Sequence, residues 1–254
     1  MPRTLLLLGT FLLGAAFRAT PQATPAGTSS IATPPSLERQ FFDAIRKGSK
    51  EEALRLLDGE PALIKARANS GASVTQYAVY AGHPEIAEAF IARGVEPNIV
   101  EAALTGRLDR VRALLDKDPS LIHAFSQDGW TALHLNWGRL DIVNLLLDRG
   151  AVINTISRNS ILASPLQGAV ASGRYELARL LVQRGADVNC RGEGGVSPLQ
   201  EAAAGGRLEF AKFLMESGSR LNERDDEGKT PLATAIAYKK DAVAALLKER
   251  GARE

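Results

Sequence analysis

The chain has 254 residues, of which 24% are charged and 6% aromatic, and its formal net charge at pH 7 is +2. Lys and Arg are scattered among Asp and Glu, so the sequence lacks the basic patch that nucleic acid or an anionic lipid surface would require. Cys190 is the single cysteine, which excludes an intramolecular disulfide. Nucleic acid is therefore not an expected partner.

The N-terminus has the pattern of a secretory leader. MPRT supplies a short basic segment, and the apolar run over residues 5–17 is shorter than the roughly 20 residues of a transmembrane helix. Small residues before Phe17 predict cleavage after Ala16, which gives a signal peptide over residues 1–16. We expect no stable membrane insertion after cleavage; an uncleaved N-terminal anchor is the alternative.

Residues 17–36 are rich in Pro, Thr and Ala and predict a disordered linker. The chain contains no Asn-x-Ser/Thr acceptor for glycosylation, and its composition is biased toward Ala, Leu, Arg and Gly. Together with the leader, these features favour a periplasmic or secreted protein of bacterial origin.

From residue 37 onward the sequence repeats with a period of 33. Four motifs, TALH, SPLQ, SPLQ and TPLA, begin 33 residues apart, at Thr131, Ser164, Ser197 and Thr230. Ser and Thr cap helix N-termini, and the proline that follows in three of the motifs fits the first helical turn. A second series of glycines closes the units, as helix ends commonly require: Gly94, Gly150, Gly185, Gly218 and Gly251.

Each unit therefore predicts two short helices joined by a turn. The second helix carries apolar residues at helical spacing, as in Leu208, Phe210 and Leu214. Two short helices cannot bury such a face alone, whereas stacked units bury it against their neighbours.

This sequence resembles the ankyrin repeat family, in which the period is 33 residues and the units begin with TPLH-like and end with GADVN-like segments. The resemblance implies an all-α fold, an ankyrin-repeat solenoid of stacked helix-turn-helix units with short β-hairpin or loop connections. It covers residues 37–254 and predicts about seven repeats. The units at 37–68 and 98–126 are degenerate and lack a TPLH start, and the last unit looks like a C-terminal cap.

Two departures from the repeat are visible. The unit that starts at Thr131 is two residues short before its glycine, and the connection after it is two residues long, so a shortened first helix and an enlarged loop are expected. In the last unit Lys239 stands where the glycine between the two helices belongs.

The sequence offers no catalytic constellation. It lacks HExxH, CxxC, GxSxG and phosphate-binding glycine motifs. His83 and His134 occupy repeat positions and are interpreted as structural, while His123 lies outside the pattern. We therefore expect no enzymatic activity, no cofactor and no metal site. Cys190 is interpreted as an incidental small residue, with an intermolecular disulfide as the alternative.

The resemblance implies a binding face made of hairpin tips and exposed positions of the first helices. Trp and Tyr on such a face are typical interaction anchors, although packing between repeats is the alternative, equally favoured for Trp137. The predicted protein-binding residues are Tyr77, Tyr80, Asp128, Trp130, Trp137, Arg191, Glu193, Glu201, Asp226 and Tyr238.

These features together favour an exported, monomeric, non-enzymatic module that binds a protein partner of unknown identity. Two alternatives remain: an accessory or inhibitor subunit of a periplasmic enzyme, and a self-associating envelope scaffold.

Overall fold

The computed structural model describes residues 36–136 and 138–254. These residues form α-helices, short 3-10 turns and loops, and contain no named strand. The prediction of an all-α ankyrin-repeat solenoid is confirmed. The predicted signal peptide, almost all of the linker and Trp137 lie outside the described residues.

Thirteen α-helices are present in the described part of the chain. In order they are α1 (Leu37–Arg46), α2 (Lys50–Gly59), α3 (Val74–Tyr80), α4 (Pro84–Ala92), α5 (Ile99–Leu104), α6 (Leu108–Lys117), α7 (Leu140–Asp148), α8 (Pro165–Ala171), α9 (Tyr175–Gln183), α10 (Pro198–Ala204), α11 (Leu208–Glu216), α12 (Pro231–Ala237) and α13 (Asp241–Glu249). They form six pairs, with α7 unpaired between the third pair and the fourth. We number the resulting helical units 1 to 7, and unit 4 contains α7.

Local sequence explains where the first helices begin. In units 5, 6 and 7 the side chain of Ser164, Ser197 or Thr230 accepts a hydrogen bond from a free backbone N–H, and proline occupies the first turn. Gln167 and Gln200 complete capping boxes by accepting from the backbone N–H of the capping serines.

Stacking of the units buries their apolar faces in two adjoining cores. Units 1 and 2 surround Phe41, Ile86 and Phe90, whereas a second core runs from unit 3 through unit 7. Leu135 packs against both cores and joins them. Each unit therefore depends on its neighbours for burial, as expected of a solenoid.

Unit 4 departs further from the repeat than the sequence indicates. Residues 131–136 form turns instead of the expected shortened first helix. The fully buried Asn136 side chain donates to the Leu133 carbonyl (2.6 Å) and accepts from the backbone N–H of Gly138 (3.0 Å). Unit 4 is two residues shorter than its neighbours before the glycine, and the Asn136 side chain supplies hydrogen bonds that a helical backbone would otherwise make.

Unit 3 begins without a hairpin. Asn98 caps α5 directly and forms a capping box with Glu101. As a result, the hairpin at residues 67–73 contacts the hairpin at residues 125–131, and Arg67 Nε donates to Gln127 Oε1 across them (3.0 Å). This contact across one unit determines the environment of several predicted site residues.

The last unit contains a strained turn. Lys239 adopts φ +55°, the left-handed conformation that glycine adopts at the same turn in the other units. The longest described helices have ten residues, so none is long and apolar enough to cross a bilayer.

Candidate functional site

The predicted protein-binding residues separate into two groups in the structure. The first group, Tyr77, Tyr80, Asp128 and Trp130, lies around α3 and the hairpin at 125–131. The second group is spread over units 5 to 7. The two groups have different degrees of exposure, so they are described separately.

Asp128 is a buried structural residue and is not available at the tip of its hairpin. Its side chain is 7% exposed and accepts hydrogen bonds from Tyr80 Oη (2.9 Å), Gln76 Nε2 (3.1 Å) and Ser126 Oγ. Three donors satisfy the carboxylate where water cannot reach it. The expectation that Asp128 belongs to an exposed binding face is wrong, because unit 3 has no hairpin to hold the two tips apart.

Tyr80 is turned toward the same network. Burial, followed by the neighbouring Asp128 carboxylate, raises the pKa of its phenol well above the usual value. The hydroxyl is thus held as a neutral donor to Asp128. Tyr80 is half-buried and fixes α3 to the hairpin of unit 4, so its hydroxyl is already engaged, while its role in binding a partner stays a prediction.

Trp130 is also buried, with 7% of its surface exposed. Its ring lies beside that of His134, with 5.4 Å between the ring centroids, and its backbone N–H donates to Ser126 Oγ (3.0 Å). The sequence places Trp130 directly before a helix cap, but the hairpin folds the indole inward. The prediction that Trp130 is an exposed anchor is therefore wrong.

Tyr77 occupies a different environment, although it lies only one turn from Tyr80. Its ring packs edge-on against Phe42 of α1, with 4.9 Å between the centroids, and burial raises the pKa of its phenol. Tyr77 is half-buried and contacts unit 1, whereas Tyr80 contacts unit 4. The two tyrosines do not form a common surface.

In the second group, Arg191 and Asp226 pair with each other. Arg191 Nη2 lies 3.1 Å from Asp226 Oδ1, and Nη1 donates to the Arg224 carbonyl (2.8 Å). Glu223 approaches the same guanidinium at 3.4 Å. Arg191 thus links the hairpins of units 6 and 7, and its charge is already neutralised.

Glu193 and Glu201 lie at a groove between two first helices, which we call the α8–α10 groove. It is a shallow feature that opens to solvent, with a cavity volume of about 60 Å³. Its walls come from the long loop before α8, from α8 and α10 themselves, and from the hairpin tip of unit 6. The lining residues are Ile161, Ala163, Gln167, Val170, Ala171, Gly192, Glu193, Val196, Ser197, Pro198 and Glu201.

Glu201 is the electrostatic centre of this groove. It is half-buried, and burial raises the pKa of its carboxyl group. Within residues 36–136 and 138–254, no cation or hydrogen-bond donor contacts this carboxylate. Glu193 stands exposed at the rim, so the charged side chains of the lining are both acidic.

Gln167 is a groove residue that sequence reasoning missed. It is 9% exposed, its Oε1 accepts from Ser164 N–H (2.8 Å), and its Nε2 has no partner among the described residues. In unit 6 the equivalent Gln200 donates to the Lys229 carbonyl (2.7 Å). The sequence around Gln167 gives no signal of this difference, because Gln167 matches the ordinary capping box.

Tyr238 lies half-buried at the C-terminal end of α12, outside the lining of the groove. Trp137 lies outside the described residues. Of the ten predicted residues, the structure therefore brings Glu193 and Glu201 together at one concave feature.

The remaining reactive side chains are poorly suited to chemistry. Burial lowers the pKa of His134 to about 4; its Nε2 contacts the Ala163 carbonyl at 3.0 Å, and its Nδ1 contacts Thr131 Oγ1 at 2.8 Å. Burial raises the pKa of Cys190 to about 11, which keeps the thiol protonated at neutral pH. The part of the chain that the structure describes has no cluster of three His, Cys, Asp or Glu residues placed for a metal ion.

The sequence model of the ankyrin repeat matches residues 128–158, and a model of three consecutive ankyrin repeats matches residues 166–253. Together with the fold, these matches support the ankyrin repeat family for this chain. The matched residues cover most of units 4 to 7 and the lining of the α8–α10 groove except Ile161 and Ala163. An ankyrin-repeat region of this kind indicates a protein–protein interaction module.

Similar proteins carry such repeats within longer chains. The ankyrin repeat protein nuc-2 of Neurospora crassa is 28% identical to this chain over 68% of its length. The E3 ubiquitin-protein ligase XB3 of Oryza sativa is 34% identical over 37% of this chain. A homologue of transient receptor potential cation channel subfamily A member 1 in Caenorhabditis elegans is 37% identical over 37% of this chain. The matches span 17%, 21% and 8% of those proteins. The similarity therefore concerns the repeats and not the whole relatives.

Proposed function

We propose that this protein is a monomeric, non-enzymatic module that binds another protein through the α8–α10 groove. The observation that carries the proposal is the groove itself. It is concave and mainly apolar, and it contains the half-buried Glu201 carboxylate, which no cation of the described residues contacts. Binding sites commonly combine an apolar wall with a few polar groups that fix orientation.

The alternative location around α3 is less suitable. Tyr80, Asp128 and Trp130 are engaged in packing between units, so a partner would have to break existing hydrogen bonds to reach them. The groove instead offers open space and a Gln167 amide nitrogen that has no partner among the described residues. A partner there would add contacts without breaking the hydrogen bonds that join α3 to the hairpin of unit 4.

We also propose that the module acts outside the cytoplasm, in the periplasm or after secretion. The apolar run over residues 5–17, followed by a Pro- and Thr-rich linker, supports this proposal. Intact-mass analysis of protein from its native cells is expected to show a chain that begins at Phe17. Recovery of the chain with Met1 from the cytosol would contradict export.

Site-specific photocrosslinking tests the binding proposal. A benzophenone amino acid replaces Val196, in the groove lining, or Gln183, exposed at the end of α9 as a matched control. Illumination in an envelope extract is expected to give a discrete crosslinked protein with the Val196 variant and none with the Gln183 variant. Equal products at both positions, or products from Gln183 alone, would contradict a binding face at the groove.

Light scattering on the purified chain tests the monomeric state. A mass equal to that of one chain at micromolar concentration is expected. A concentration-dependent dimer or larger species would instead favour the self-associating scaffold.

A further inference from the structure

We propose that the α8–α10 groove binds a protein segment that presents a Lys or Arg side chain beside an aliphatic residue, with the cation paired to Glu201. This inference rests on the proposed function and adds the chemistry of the partner. It follows from the charges of the groove, its apolar walls and its unpaired polar atoms.

Charge complementarity is the first argument. Among the described residues, the groove lining contains the carboxylates of Glu193 and Glu201 and no Lys or Arg. The nearby Arg191 faces Asp226 and Glu223 instead. A carboxylate withdrawn from water gains most from an opposite charge at close range, because the surroundings screen the attraction less than bulk water does.

The shape of the groove favours a long aliphatic side chain behind that cation. Ile161, Val170, Val196 and Pro198 supply apolar wall next to Glu201. Lys and Arg bury their methylene stems against such surfaces while the charged head reaches a polar group. A free metal ion or a small anion would leave the apolar wall exposed.

Gln167 provides an independent observation. Nine-tenths of the residue is buried, and its Nε2 donor has no acceptor among the described residues, whereas the equivalent Gln200 donates to the Lys229 carbonyl. A peptide backbone that passes Gly192 brings carbonyl oxygens to this place. Since Nε2 is covered in the free chain, the hairpin tip must shift slightly to admit one. Such a donor favours a peptide segment over an isolated amine.

Leu162 follows the lining residue Ile161 in the sequence, is 60% exposed and has φ +49°. An aliphatic residue of the partner that reached this side chain would gain by covering it.

Glu201→Gln is the central test variant, since it keeps the shape and removes the charge. The probe is an array of acetylated heptapeptides whose central residue is Lys, Arg, norleucine or Glu and whose flanks vary among Ala, Val, Leu and Gly. Norleucine retains the aliphatic stem of Lys without its charge. Glu216→Gln serves as the matched control, because Glu216 is exposed at the end of α11 and lies outside the groove lining.

Wild-type protein is expected to bind the best Lys or Arg peptides at least about fivefold more tightly than their norleucine counterparts, the order expected for one partly desolvated ion pair. This preference is expected to disappear in Glu201→Gln and to persist in Glu216→Gln. Glu201→Gln is also expected to unfold at higher urea concentration than wild type, because it removes an unpaired, half-buried charge.

Equal binding of Lys and norleucine peptides to wild type, a preference that survives in Glu201→Gln, or no binding to any peptide at millimolar concentration would overturn the inference. Free spermidine that competes as well as the Lys peptides would overturn the choice of a peptide segment. The crosslink at Val196 tests whether the groove binds a protein at all, and none of these peptide results would change it. The proposed function can therefore stand even if the inference about the partner's chemistry fails.

Discussion

Tyr80 donates its hydroxyl to the carboxylate of Asp128, 48 residues further along the chain, over 2.9 Å. The bond joins α3 of unit 2 to the hairpin of unit 4 and passes over unit 3, which has no hairpin of its own. It therefore stabilises the junction between the two hydrophobic cores.

Removing this bond is expected to lower stability without affecting binding. Tyr80→Phe should cost about 1.5–3 kcal/mol in the free energy of unfolding, the range for a buried hydrogen bond to a charged group. Urea denaturation measures the loss. Tyr175→Phe is the control, since the Tyr175 hydroxyl has no hydrogen bond within the described residues, and it should change stability by less than about 0.5 kcal/mol. Equal effects of the two variants would contradict the role of Asp128.

The fold could be predicted from the sequence because its signals are local. Capping Ser and Thr residues, the proline after them and the glycine at each helix end act within a few positions, and they recur every 33 residues. The burial of Tyr80 and Trp130 could not be predicted in the same way. It depends on the contact between two hairpins that are nearly two repeats apart, which arises only because unit 3 begins directly at its helix cap.

The site was predictable in part for the same reason. Glu193 and Glu201 were predicted from their places on a hairpin tip and a first helix, and both line the groove. Gln167 was missed because its sequence matches the ordinary capping box. Its unpaired amide becomes visible only beside Gly192 in three dimensions.

The strained turn in unit 7 gives a second prediction. Lys239→Gly relieves a left-handed backbone conformation and should stabilise the chain by about 0.5–1 kcal/mol. The reverse change, Gly173→Lys, is the matched control, because a Cβ at Gly173 meets no atom within 4 Å and only backbone strain is added. It should destabilise by a similar amount in thermal unfolding. A loss of stability in Lys239→Gly would refute this explanation.

His134 predicts a pH dependence of stability. Its folded pKa of about 4 lies below the ordinary 6.5, so the unfolded chain binds the proton more readily. The stability contribution is fully present above pH 6.5 and is lost as the pH falls toward 4, with a loss of about 2 kcal/mol by pH 5.

His134→Gln isolates this effect, since Gln occupies the equivalent position in units 5 and 6. The difference in unfolding free energy between wild type and variant should shift by about 2 kcal/mol in favour of the variant between pH 8 and pH 5. A difference that stays constant over this range would show that the His134 pKa is not lowered.

Two adjacent leucines in α9 test the packing of unit 5. Leu181 is fully buried, whereas Leu180 is only partly buried at the edge of the core. Leu181→Ala should cost about 2–5 kcal/mol, the range for a buried leucine truncation. Leu180→Ala should cost clearly less in the same denaturation experiment. A larger loss of stability in Leu180→Ala than in Leu181→Ala would mean that a different face of α9 packs against the core.

Hydrogen exchange of the complex with the crosslinked partner tests the central claim most directly. Backbone amides in residues 161–171 and 192–204, which contain the walls of the α8–α10 groove, are expected to exchange more slowly when the partner is bound. Amides of α3 and of residues 125–131 should exchange at unchanged rates. Protection confined to α3 and residues 125–131, with none at the groove, would contradict the assignment of the binding face.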